Sequence, residues 1–149
     1  MIKIANLVFN PFINDSRVKK ESISLSKEGY FVEVIGYLSK GLKAVEKCRY
    51  FNIRRFSYLD NAINKRRITK VKVYIEYLLK SSSYCKDFDI LHCNDLHTLP
   101  IAFIVKKFYN KNIKIIYDAH EYESEVIGLS RAEKFLVKIM ERLLIQYYH

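Results

Sequence analysis

Glycine is scarce in this chain: four in 149 residues, at Gly29, Gly36, Gly41 and Gly128. No G-x-G-x-x-G follows the first apolar run, and no G-x-x-x-x-G-K-[ST] occurs. The usual glycine loop that lets a backbone wrap a pyrophosphate is therefore missing. Cysteine is equally sparse. Cys48, Cys85 and Cys93 are odd in number and widely spaced, which argues against a disulfide framework and against a C-x-x-C metal site. No apolar run is long enough to span a bilayer. The opening MIKIANLVFN lacks the charged region and small-residue cleavage site of a secretory signal. Met1 thus reads as the start of the fold, and a cytoplasmic protein is expected. No internal repeat or low-complexity tract is visible.

What is present is a globular balance, half apolar and 28% charged, in a length that suits one domain with a real core. The formal net charge is +10. Such a surplus is either background charge or an attraction to an anionic membrane, an anionic substrate or nucleic acid. The 12 Tyr and 9 Phe sit at core spacings and do not alternate with basic residues along one strand. No nucleic-acid motif accompanies them, so no nucleic-acid partner is expected.

Taken in order, the chain alternates strand and helix. Ile2–Phe9 is an apolar strand, broken by Asn10-Pro11. Asn14 or Asp15 can cap a helix from about Ser16 to Glu28, which stops at Gly29. Tyr30–Tyr37 is a second strand, completing a right-handed βαβ unit. Residues 44–58 hold one or two short strands, Phe51–Phe56 being the better one.

A long helix runs from Asp60 or Asn61 to about Ser81, with Ile63, Val71, Tyr74, Ile75 and Leu78 as its apolar stripe and Ser81-Ser82-Ser83 as a break. Lys65, Arg66, Arg67, Lys70 and Lys72 crowd its first half, as a solvated face or as a contact with anionic membrane. Phe88–Cys93 is the next strand. Thr98 caps a helix to about Tyr109 with Ile101, Ile104, Val105 and Phe108 inward. Asn112–Tyr117 is a short buried strand. Ser130 to Glu133 is a capping box opening a last helix with a Phe135, Leu136, Ile139, Leu143, Leu144 stripe. That helix meets His149 with no stop signal, so a C-terminally truncated α/β domain is expected.

Two strand ends carry the chemistry. One gives His92, Cys93, Asn94, Asp95 and His97; the other gives Asp118, His120, Glu121 and Glu123. In open α/β sheets ligands bind outside the carboxyl ends of the strands. A structural histidine bonded to backbone explains any one of these residues but not the whole set. Three His and a Cys could suggest zinc. Strand alternation sends His92 and Cys93 to opposite faces, so neither a metal nor any other cofactor is expected.

Three strings together, DSRVKKESISLSKEGYFVEVIG from Asp15, DILHCNDLHTLPIA and KIIYDAHEYESE, resemble in order the N-terminal half of family 4 glycosyltransferases with the GT-B fold. The DAHE string is the most specific. The resemblance implies a single Rossmann-like doubly wound domain over residues 1–149, the acceptor-side half of a retaining enzyme whose donor-binding domain is absent. It implies a nucleotide-sugar donor, held through that missing domain, and a glycan or lipid-linked acceptor. It implies that His120 faces the cleft near the reacting carbon. Asp15, Arg17, Asn94, Asp95, His97, Asp118 and Glu121 match the motifs and are the candidate substrate contacts. Retaining members need no protein nucleophile. Two other readings stay open: a split partner needing a donor domain on another chain, and a stand-alone flavodoxin-like binding module.

Overall fold

The computed structural model describes residues 1–58 and 67–118. Six strands form one mostly parallel sheet: β1 (Lys3–Leu7), β2 (Phe31–Leu38), β3 (Val45–Lys47), β4 (Asn52–Tyr58), β5 (Ile90–Cys93) and β6 (Lys114–Tyr117). Their spatial order is β3-β4-β2-β1-β5-β6, and β3 alone runs antiparallel, against β4. Three α-helices connect them: α1 (Ser16–Lys27), α2 (Arg67–Cys85) and α3 (Leu99–Ile104).

Period-two alternation along β1 sorts the core into two layers. Ala5 and Leu7 point into a cluster with Tyr77 of α2 and with Leu99, Ile101 and Ala102 of α3. Val8, Val32 and Val34 point the other way, onto Val18, Ile23 and Leu25 of α1. On that second side Asn6 is buried and its amide donates to Ser22 Oγ at 2.8 Å. A helix on each face and an order that reverses at β1 make the sheet doubly wound. The reversal places the switch point at the carboxyl ends of β1 and its neighbours.

Local signals at α1 hold. Asp15 is the N-cap, accepting from Val18 N at 3.1 Å, and Gly29 takes φ +88° just past the helix.

The expected stripe of α2 holds at Tyr74 and Leu78, which pack against the core, and is corrected at Val71 and Ile75. The buried side follows Tyr77, Ser81, Ser82 and Cys85, while Val71 and Ile75 are 52% and 49% exposed. Ile63 lies outside the described residues. The serines are not a break: the helix runs through them to Cys85. Their small side chains fit against the sheet, and a hydropathy count overlooks them.

Three further readings are corrected. The Thr98 side chain makes no cap bond to α3; Asp95 caps the preceding 3-10 turn, Leu96–Thr98. After α3 the chain widens into a π turn at Val105–Tyr109, which changes the helical phase and leaves Phe108 68% exposed. Strand β6 is not buried on both sides. Among the described residues it forms a sheet edge, with Ile116 49% exposed. The capping box at Ser130 and the last helix lie outside the described residues.

Candidate functional site

The carboxyl ends of β1, β5 and β6 lie in register, with Leu7, Cys93 and Tyr117 side by side. Backbone bonds carry the ladder one step further, from Asn94 N to Leu7 O and from Asp118 N to Cys93 O, both 3.0 Å. Asn94 and Asp95 after β5 and Asp118 after β6 therefore open on one edge, as the switch-point argument requires.

The loop after β1 forms the roof of this edge. Without a glycine it turns at Phe12, whose φ of 49° is left-handed. Several contacts hold that conformation. Asn10 Oδ1 accepts from Phe12 N at 2.7 Å, and the Phe12 ring is buried against Phe51. Arg55, 4% exposed, donates to Pro11 O at 2.7 Å and Phe12 O at 3.3 Å, and also to Lys43 O and Glu46. Gly36 allows the close approach from below: a Cβ there would stand 2.5 Å from Asn10 O.

The α1 side of the edge is ionic. Arg17 pairs with Asp118, each about two-fifths exposed. Asp15 caps α1 with one carboxylate oxygen and accepts from Asn10 Nδ2 at 3.2 Å with the other. His92 Nδ1 meets Glu21 at 2.5 Å.

The α2 side is aromatic and closed. Phe9 stacks on the His97 ring, centroids 5.2 Å apart at 17°. Tyr74 meets Phe9 edge-on, and its hydroxyl donates to His97 O at 2.9 Å. The Asp95 carboxylate accepts from Phe9 N at 2.6 Å and Thr98 N at 3.1 Å, tying the end of β1 to the turn after β5. Buried Tyr77 donates to Val8 O at 3.0 Å, and burial pushes its phenol well above the usual range. Burial also pushes the Cys93 thiol up to about 12, so it is neither a nucleophile nor a ready metal ligand. Cys93 and His92 face opposite layers, as alternation demands.

Of the residues singled out in the sequence, Asp15, Arg17, Asn94, Asp95, His97 and Asp118 share this edge. Asn94 is buried, with its amide near Leu7 O and His92 O. His120 and Glu121 lie outside the described residues. Sequence reasoning missed Arg55, Tyr77 and Glu21. The paired Arg54-Arg55 inside a strand is the one signal it could have used, since alternation must turn one of the two inward. A cavity of about 810 Å³ lies elsewhere, at the opposite ends of β1 and β2, between Lys3, Glu33, Tyr84 and Phe88. It shares no residue with the edge described here. No described helix is long and apolar enough to cross a membrane.

Comparison with known proteins agrees with this geometry. The family model described as the starch synthase catalytic domain matches residues 13–139. The solved structure of sucrose-phosphate synthase from Thermosynechococcus elongatus superposes on 97% of this chain with a TM-score of 0.73 and 11% identity. This chain spans 40% of that protein's length. A second structure of sucrose-phosphate synthase from the same organism aligns over 99% of both chains at 10% identity with a TM-score of 0.48. No curated protein matches. The family match covers most of the sequence, and the fold is that of a Rossmann-like GT-B domain: the chain belongs to the starch synthase catalytic domain family of glycosyltransferases.

Proposed function

We propose that this chain is the acceptor-side half of a retaining glycosyltransferase of the family 4 type. It moves a sugar from a nucleotide-sugar to a glycan or lipid-linked acceptor at the inner face of a membrane. The observation that carries this reading is the polar edge itself. Asp15, Arg17 and Asp118 stand half-exposed beside the Phe9–His97 stack, at the carboxyl end of a parallel sheet. Exposed ion pairs exchange partners at little cost. Sugar hydroxyls and phosphate oxygens are suitable new partners for them. The loop after β1 is braced by Arg55 and carries no glycine cradle, so the diphosphate falls to a donor-binding domain beyond these 149 residues. That domain sits either on the same polypeptide or on a partner chain.

In a front-side displacement the acceptor hydroxyl attacks the anomeric carbon on the face from which the diphosphate leaves. The bond to the acceptor oxygen forms as the bond to the phosphate oxygen breaks, and that phosphate oxygen takes the proton. The protein's share is orientation and electrostatics. His120, two residues past Asp118, is assigned the contact with the donor sugar near the reacting carbon. One ring nitrogen would accept from a hydroxyl while the other donates to a carboxylate.

The test uses the enzyme complete with its donor-binding domain. His120→Ala should lower the turnover number by on the order of 10²-fold and leave the melting temperature nearly unchanged. Normal turnover, or a variant that unfolds, assigns His120 to structure. Residues 1–149 alone should not bind a nucleotide-sugar at micromolar concentration. Calorimetry that detects such binding sinks the division of labour.

A further inference from the structure

Helix α2 packs Leu78 against the core but turns three other large aliphatic residues away from it. Val71, Ile75 and Leu79 are 52%, 49% and 58% exposed, at i, i+4 and i+8. That spacing lines them along one face. The buried side of the same helix is built from Tyr77, Ser81, Ser82 and Cys85 instead. Exposed Lys72 and Lys80 lie beyond the aliphatic stripe. The one acid in this stretch, Glu76, is paired with Lys80 at 2.6 Å, so those two charges cancel and the surplus rests on the other basic residues. From Lys65 to Lys80 the sequence holds six basic residues, Lys65, Arg66, Arg67, Lys70, Lys72 and Lys80, against Glu76 alone. The side chains of the first four lie outside the described residues.

We infer that α2 docks flat on an anionic lipid surface, with Val71, Ile75 and Leu79 entering the boundary between headgroups and acyl chains and the lysines resting on acidic headgroups. This deepens the membrane-face reading proposed above and rests on it for biological sense. A protein partner fits less well. A stable protein interface buries roughly 800 Å² on each side, and three aliphatic side chains fall well short of that. A bilayer needs no matching shape. It rewards a narrow aliphatic stripe flanked by positive charge.

The two components of the surface predict different responses. Electrostatic attraction fades as salt shortens the screening length to about 8 Å at physiological ionic strength. Aliphatic insertion does not. Adsorption should therefore need acidic lipid at the start, and part of it should survive moderate salt.

The experiment is sedimentation of the full-length protein with vesicles of phosphatidylcholine containing increasing phosphatidylglycerol. Binding should rise with acidic lipid content. Val71→Ser, Ile75→Ser and Leu79→Ser combined should weaken it at least tenfold with an unchanged melting curve, because all three side chains are about half-exposed. Lys72→Glu should weaken it several-fold and only at low salt. Vesicle binding that ignores lipid charge overturns the inference. So does a serine triple variant that binds like the parent, or binding to single-stranded RNA that displaces the protein from vesicles. Glycosyl transfer to a water-soluble acceptor by a protein that ignores vesicles would sink this inference and leave the transferase reading standing. Normal vesicle binding without transfer would do the reverse.

Discussion

The two sides of the carboxyl edge are built on opposite plans. On the α2 side Asp95, Tyr77 and Cys93 have fixed places. Asp95 accepts two backbone N–H groups, Tyr77 donates to the carbonyl of Val8, and Cys93 is sealed in the core. On the α1 side Arg17, Asp118, Glu21 and His92 are paired with one another in partial contact with water. Buried, fully bonded groups are costly to disturb. The Arg17–Asp118 pair, about two-fifths exposed, costs little to open, whereas Glu21 and His92 lie deeper. The contrast separates shape from adaptable polarity: the α2 side gives the edge its shape, and on the proposed function the α1 side is where a ligand finds polar groups.

The most severe test of this contrast is Arg55, which braces the roof loop from within. Arg55→Met leaves the carbonyls of Pro11, Phe12 and Lys43 without their donor. A loss of about 3 kcal/mol in denaturant unfolding is expected. A loss near zero would mean that the loop holds itself.

Asp95→Ala removes the acceptor of two backbone N–H groups and should cost about 2 kcal/mol. If it costs no more than Asp15→Ala, an ordinary cap loss of about 1 kcal/mol, then Asp95 is not the tie between β1 and β5. Gly36→Ala drives a methyl group toward Asn10 O, and overpacking of this kind costs about 1–3 kcal/mol. It should also shift the amide resonances of residues 10–15, which a purely local strain in β2 would leave in place.

Arg17→Ala should change stability by less than about 1 kcal/mol, since both partners are well exposed. A larger loss would put the α1 side in the same class as the α2 side and erase the contrast.

Alkaline titration reaches the closed side through Cys93. The Cys93 thiol has a folded value of about 12 against an ordinary value of 9.0. Below 9 both states hold the proton and pH has no effect through this group. Between 9 and 12 the unfolded chain releases the proton while the folded chain keeps it, so stability falls as pH rises. Cys93→Ser should lessen that decline without abolishing it, because burial also pushes the Cys85 thiol up. Alkylation of the native protein should mark exposed Cys48 and spare buried Cys85 and Cys93.

Much of this was legible in the residues. The apolar runs, Asp15 as cap and Gly29 as stop gave strand, helix and strand in the right order, and the switch-point rule put the strand ends near Phe9, Cys93 and Tyr117 on one edge, where Leu7, Cys93 and Tyr117 lie side by side. The motif strings gave the GT-B glycosyltransferase identity. Local pattern is reliable here because capping, φ preference and period-two alternation act between near neighbours in sequence.

The tertiary structure alone decided which face of α2 is buried, that Phe108 points out, and that Arg55 reaches back 43 and 44 residues to Phe12 and Pro11. Tyr77 and Ser81 look less apolar than Val71 and Ile75. Burial is set by the space between helix and sheet, and here that space admits serines and one hydrogen-bonded tyrosine. The pairing of Arg17 with Asp118 crosses 101 positions of sequence. Hydropathy carries no information about such a contact, because it exists only once α1 and β6 are brought to the same edge of the sheet.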